Sequence, residues 1–268
     1  MKTIDEVSLS TAVFGKEQAP DDLLRFIDTT LEAGINYVEL SRAHRNIGER
    51  ADAILKSGIK VWSIHGYLEG GGVSDDPAIR RTVIDNEIAR IRESGVYGRV
   101  PYVVHYLDRM NDPVYGKYFR STIDELYAAT HAEGLILTIE TVPYKPQINE
   151  RYADSREVAE FVRSYHADDL LMTIDINHSN LHESLIDVCA NCDGLIANVH
   201  MSNNHGEWED HNPPYDGIID FSETFAALRK HGYCGPANLE MHCSGAVTAE
   251  WLTEVRKYTE EKLFRNCQ

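Results

Sequence analysis

Short runs rich in β-branched and aromatic residues alternate along the chain with segments whose apolar residues recur at helical spacing, and turn residues fall at most junctions. The pattern predicts strands at VSLSTAVF (7–14), NYVELS (36–41), KVWSIHGYL (60–68), RVPYVVHYL (99–107), LILTIET (135–141), LLMTIDINHS (170–179), LIANVHMSN (195–203) and PANLEMH (236–242). Between them, DDLLRFIDTTLEAG, NIGERADAILKSG, DPAIRRTVIDNEIARIRESG, GKYFRSTIDELYAATHAEG, SREVAEFVRSY, SLIDVCANC and DFSETFAALRKHG carry the helical period, and TAEWLTEVRKYTEEKLF closes the series. Gly34, Gly58, Gly95, Gly134, Gly194 and Gly232 stand where a helix ahead of an αβ loop takes its C-cap glycine.

Eight such βα units, with no Pro/Ser-rich linker and no shift in composition, predict one α/β domain over residues 1–268, folded as a single (β/α)8 TIM barrel. A doubly wound open sheet is the main alternative. Composition alone leaves the domain count open, because 268 residues at 43% hydrophobic can fill one large core or two modest ones.

In such a barrel, the C-terminal ends of the strands and the loops after them form one mouth, where chemistry is placed. The polar residues follow that geometry. His65, His105 and Glu140 come late in the third, fourth and fifth predicted strands, Asp175 and His178 late in the sixth, His200 in the seventh and Glu240 in the eighth. The long loop after the seventh strand adds Glu209, Asp210 and His211.

Taken singly, each of these residues reads as a hydrogen-bonded or solvated strand end. Collected around one axis, so many carboxylates and imidazoles would be very costly to bury without a counter-charge. A divalent metal supplies one. Imidazole with carboxylate suits zinc, manganese, cobalt or iron better than calcium, and magnesium fits a carboxylate-dominated position.

Charge and cysteine content narrow the function classes. Twenty-six basic against 43 acidic residues give a formal charge of −17, a field that repels a polyanion, and no basic stripe offers a path for a nucleic-acid backbone. The opening MKTIDEVSLS has no apolar run suited to a signal peptide, and no later stretch approaches the ~18 apolar residues of a membrane span, so a soluble cytoplasmic protein without a membrane partner is expected. Five cysteines, an odd number in a chain of this size, read as free thiols. Cys189-x-x-Cys192 lies in a helical stretch with no second pair, which argues against a zinc or redox site.

From AGINYVELS (33–41) to ANLEMH (237–242), the chain resembles the xylose isomerase-like TIM barrels, a group that includes sugar epimerases, hydroxypyruvate isomerase-like enzymes, dehydroshikimate dehydratases and the endonuclease IV group. The resemblance implies a four-ligand metal site of Glu140, Asp175, His200 and Glu240. It also implies that Glu140 and Glu240 act as the catalytic acid/base pair on opposite faces of the substrate. The segment HNPPYDGIIDF (211–221) is similar to the family's H-x-P-x-G-x-G-x-I-D-F loop, with Tyr215 in place of the first glycine. The endonuclease IV pattern adds His65, His105, His178, Glu209 and His211 as further metal or substrate ligands, for one to three ions in all; Asp210 competes with Glu209 by a one-residue shift.

Two functions follow. One is a metal-dependent isomerase or epimerase that moves a proton through an enediolate of a sugar or similar small hydroxy-carbonyl compound. A dehydratase or lyase would use the same intermediate. The other is a multi-zinc phosphoesterase of the endonuclease IV type, against which stand the acidic charge and the lack of a glycine-rich continuation in ETVPYKP (140–146). A non-catalytic sugar-binding member is disfavoured by the presence of both glutamates. Glu39, Arg42, Tyr67, Trp208 and Tyr215 are weaker substrate-contact candidates at the rim, where Arg42, His44 and Arg45 could grip an anion and loop 202–219 forms a natural lid. Trp62 is placed for packing. Barrels of this kind commonly form homo-oligomers.

Overall fold

The computed structural model describes residues 3–107, 116–143 and 153–264. The strands are β1 (Val7–Ser10), β2 (Tyr37–Leu40), β3 (Lys60–His65), β4 (Pro101–His105), β5 (Ile136–Glu140), β6 (Leu170–Asp175), β7 (Ile196–His200) and β8 (Ala237–Leu239). The helices are α1 (Asp22–Glu32), α2 (Ala51–Lys56), α3 (Pro77–Ser94), α4 (Phe119–Ala132), α5 (Ser155–Arg163), a single-turn α6 (Ile176–Asn180), α7 (Leu185–Asn191), α8 (Phe221–Lys230) and α9 (Ala249–Phe264). All strand pairs are parallel, in the order β7-β6-β5-β4-β3-β2-β1-β8. A bridge between Met201 and Leu239 joins the two ends, with Met201 N donating to Asn238 O at 2.9 Å and Glu240 N to Met201 O at 3.1 Å. The sheet therefore closes on itself, and the open doubly wound alternative is excluded.

Every predicted strand is present, but most are shorter at the mouth end, because side chains take over from the ladder there. β1 stops at Ser10, and Thr11–Phe14 form a 3-10 turn in which Thr11 Oγ1 donates to Glu39 O at 3.0 Å and accepts Ser41 N at 2.9 Å. β6 stops at Asp175, whose Oδ1 accepts His178 N at 2.8 Å and caps α6. TIDINHS is thus a strand followed by a helical turn, which carries His178 back over the mouth. Gly95 is not the left-handed terminator expected; it continues α3 into a 3-10 turn with φ −57°, and Gly98 at φ +80° ends that segment.

Apolar residues of the strands and the enclosing helices form one continuous core, among them Val38, Ile64, Ile139, Ile174, Val199 and Leu239. Cys189 and Cys192 belong to it as free thiols, and burial pushes both up to about 12, so neither is reactive near neutral pH. Cys267 and the Tyr144–Pro146 part of ETVPYKP lie outside the described residues. No helix among the described residues is long and apolar enough to cross a membrane.

Among the polar residues buried in this shell is Arg90 of α3, only 2% exposed. Its guanidinium donates to His44 O at 2.8 Å, Ser41 O at 3.0 Å, His65 O at 3.3 Å and Leu40 O at 3.5 Å, and also to Tyr67 Oη at 2.8 Å. Three residues earlier, Glu87 accepts Tyr67 N at 2.8 and 3.0 Å and Tyr102 Oη at 2.7 Å. One helix face thereby fastens the loops after β2 and β3. Arg90→Met would strand several buried carbonyls, each costing about 1–3 kcal/mol. Chemical denaturation should show a loss of ~3 kcal/mol or more, whereas the exposed Arg92→Met should change little; equal effects would count against this fastening role.

Candidate metal centre

The C-terminal ends of β3 to β7 and the segments after β6 to β8 bring the predicted mouth residues together around His200. Its ring is buried, with Nε2 2.9 Å from Glu39 Oε2 and Nδ1 facing Glu140 Oε1 at 3.0 Å, Glu240 Oε2 at 3.1 Å and Asp175 Oδ2 at 4.0 Å. The N–H at Nε2 donates to Glu39, so the opposite nitrogen points at three carboxylates. That arrangement is typical of a metal-binding histidine oriented from behind by an acid.

The other imidazoles repeat it. His65 Nδ1 donates to Gly66 O at 2.9 Å while Nε2 lies 3.4 Å from Glu140 Oε2. His178 Nδ1 donates to Thr141 O at 3.0 Å while Nε2 faces Glu209 Oε2 at 3.2 Å and His211 Nε2 at 3.3 Å. His211 Nδ1 is 3.1 Å from Glu240 O. His105 Nε2 approaches Glu140 Oε2 at 3.5 Å.

Donor atoms gather within 4.8 Å of one another in four overlapping groups: Glu140/Asp175/His200/Glu240, His65/His105/Glu140, His65/His200/Glu240 and Asp175/His178/His211. Glu140 Oε2 and Asp175 Oδ2, which sit in these groups, are buried without a hydrogen bond. Burial would strongly penalise such oxygens unless a cation completes them, so the donor set fits a divalent metal.

The electrostatics agree. Burial alone would raise Glu39 and Glu140, but the His200 charge and hydrogen bond hold Glu39 below its usual range and Glu140 well below it. Burial would lower His200, and Glu240, Glu39 and Glu140 together hold it well above. Asp175 is raised, by burial first and by Glu140 and Glu240 after the opposing pull of His178 and His211. Burial would likewise lower His178, but Asp175, Glu209 and Glu140 push it up to about 9. His105 goes the other way, down to about 3, through burial. The carboxylates are balanced here by imidazolium protons, which a metal ion would displace.

Several rim residues sit elsewhere than expected. Glu39 is fully buried beneath His200 and lines no part of the cavity; its Oε2 also accepts Ser63 Oγ at 2.7 Å, Asn238 Nδ2 at 3.2 Å and Asn198 Nδ2 at 3.4 Å. No pattern in the sequence marks these amides, because asparagine at a strand interior has no periodicity of its own. Trp62 donates to Asn198 Oδ1 at 2.8 Å, a packing role as expected. His44 is buried against Glu17 and the Thr11 carbonyl, so it grips no ligand. Asp210 turns to His205, leaving Glu209 opposite His178. Trp208 and Tyr215 are 59% and 47% exposed on the outer side of the rim and do not line the cavity; Tyr215 Oη accepts Trp251 Nε1 instead. Arg42 and Tyr67 do line it.

The mouth opens into a cavity of about 1160 Å³ whose walls include His65, His105, Glu140, His178, His211 and Glu240. Its rim loop is stapled by Asn203, which donates to Pro214 O at 2.9 Å and accepts Asn204 N and Ile219 N, both at 3.0 Å. Gly217 packs against that staple at φ +154°.

The family model for xylose isomerase-like TIM barrels matches residues 27–262, and the chain belongs to that family. Among solved structures, it is similar to an L-ribulose 3-epimerase, with 20% identity over 100% of this chain and 89% of the other at a TM-score of 0.75. A 3-keto-D-glucoside 4-epimerase from E. coli shares 15% identity over 98% and 99% of the two chains, at 0.76. A D-allulose 3-epimerase from Methylomonas sp. shares 16% over 98% and 100%, at 0.78. Identities this low establish the shared fold. No match is found among curated proteins.

A Cβ on Gly217 would lie 2.3 Å from Asn203 Oδ1 and 2.4 Å from Asn204 O. Gly217→Ala should therefore cost about 1–3 kcal/mol and speed proteolytic cleavage within residues 202–219; an unchanged cleavage rate would show that the glycine is not wedged.

Proposed function

We propose that this chain is a divalent-metal-dependent isomerase or epimerase acting on a sugar or similar small hydroxy-carbonyl compound. The observation that carries this reading is the convergence of Glu140 and Glu240, from β5 and just beyond β8, on one imidazole nitrogen at 3.0 and 3.1 Å, with Asp175 completing the set. The epimerase names of the structural neighbours support the same chemistry.

Glu140, Asp175, His200 and Glu240 would hold the ion, which when bound supplies Lewis-acid polarisation of a carbonyl and its neighbouring hydroxyl. The side chains do the rest. Glu140 Oε2, which accepts no hydrogen bond and faces His65 and His105, takes the proton from the carbon beside the carbonyl. Glu240, with 17% of its side chain exposed against 1% for Glu140, takes a proton from solvent on the more open side and passes it to the substrate carbon. His105, kept neutral by burial, and the hydrogen-bonded His65 orient Glu140 and exclude water beside it.

A second reading, phosphoester hydrolysis by several metal ions, is favoured by the further donor groups around His65/His105 and His178/His211. The net charge of −17 weighs against a nucleic-acid substrate for such chemistry.

Two measurements divide these readings. A single ion per chain in metal analysis, with deuterium entering the α-carbon of D-fructose or D-tagatose in heavy water, is the expected result; Glu140→Gln or Glu240→Gln should slow that exchange by about 10²–10⁴-fold. Three zinc ions and no exchange would replace the isomerase reading with the hydrolytic one. Glu39→Gln removes the acid behind His200 without changing shape, and chelator competition should show metal binding weakened by about 10–100-fold. Wild-type affinity in that variant would leave Glu39 a packing residue only.

A further inference from the structure

We infer that the substrate extends beyond the metal cluster and carries an oxyanion, a phosphate or a carboxylate, which is held at a cationic lip formed by Lys16, Arg42 and Arg45. The inference rests on the proposed isomerase chemistry for the other end of the substrate.

Size is the first argument. The cavity, about 1160 Å³, exceeds the ~300–1,000 Å³ usual for small-molecule sites and leaves room beyond one sugar ring at the metal cluster. The segments after β1 and β2 contribute Lys16, Arg42 and Arg45 to its lining.

Charge is the second. In a chain of net charge −17, this lining collects three exposed cations and the buried Arg90. Arg90 donates to carbonyls and a tyrosine hydroxyl, so no carboxylate bonded to it cancels its charge. Besides Glu140, Glu209 and Glu240 of the metal cluster, the acids lining the cavity are Glu69 and Glu93. Glu69 pairs with Arg42 at 3.0 Å, but both side chains are largely in water, where such a pair is weak and yields readily to a bidentate oxyanion. Among the described residues, the side chains of Lys16 and Arg45 have no anionic partner.

Rigidity is the third. The 41–46 loop is fixed from below by Arg90 on the carbonyls of Ser41 and His44, by Tyr67 Oη on His44 O at 3.0 Å, and by Arg50 on the Arg45 carbonyl. His44, pinned between Glu17 and Thr11, closes the loop's inner side. A loop anchored this thoroughly presents Arg42 and Arg45 with little ordering cost on binding.

The test uses the full-length, manganese-loaded protein and three probes in titration calorimetry: D-fructose, D-fructose 6-phosphate and D-fructuronate. One or both anionic sugars should bind at least about tenfold more tightly than D-fructose, which one distinguishing a phosphorylated from a carboxylated substrate, as charge-assisted hydrogen bonds imply. That preference should collapse to within about twofold in Arg42→Gln/Arg45→Gln and persist in Arg42→Lys/Arg45→Lys, with added salt weakening only the anionic probes. Equal affinity for all three sugars, no binding by any, or a preference that survives the glutamine pair would overturn the inference, the last by placing the anion on the metal cluster. Proton exchange separates this from the function itself. Exchange on D-fructose without an anion preference removes the lip and leaves the isomerase, whereas an anion preference without exchange on any probe does the reverse.

Discussion

The contact between Glu39 and His200, buried at the barrel axis, is the interaction on which the site depends. A carboxylate at that depth is tolerable only if it is paired and hydrogen-bonded, and here Ser63, Asn198, Asn238 and His200 all donate to one of its oxygens. The strands that supply those donors, β3, β7 and the short β8, must hold their register for the network to form. In return, the network fixes the ring of His200, and so the point to which Glu140, Asp175 and Glu240 are directed. Fold and chemistry meet in this polar layer, while the apolar core outside it supplies most of the stabilising burial.

The same logic explains why the three buried acids can sit close together. Glu140, Asp175 and Glu240 would repel one another if they were alone, and each is restrained by an imidazole whose other nitrogen is already committed to the backbone or to Glu39. Orientation is thus settled before any ligand arrives, which is the condition for electrostatic preorganisation.

Much of this was legible in the sequence. Strand starts followed from β-branched runs, and the residues at strand ends followed from the rule that a barrel gathers such positions at one mouth. What was hidden depended on side chains competing with the backbone. Thr11 ends its strand early by bonding across to the loop after β2 and Asp175 by capping the next helical turn, choices that no hydrophobic period encodes. Gly95 looks like Gly134 in sequence but lacks its left-handed φ, because the helix there tightens instead of ending. The roles of Asn198 and Asn238 arise from contacts to a strand more than 150 residues away. Residue type makes Trp208 and Tyr215 substrate-contact candidates, yet the Asn203 staple sets a loop path that turns both outward.

The barrel is not equally well sewn all round. Between β7 and β8 the backbone ladder amounts to a single bridge at Met201 and Leu239, whereas β4 and β5 pair along five residues. His200 and Glu240 stand on the two sides of that seam, with their side chains 3.1 Å apart. A cation held between them would therefore also act as a clasp across the part of the cylinder where backbone hydrogen bonding is thinnest.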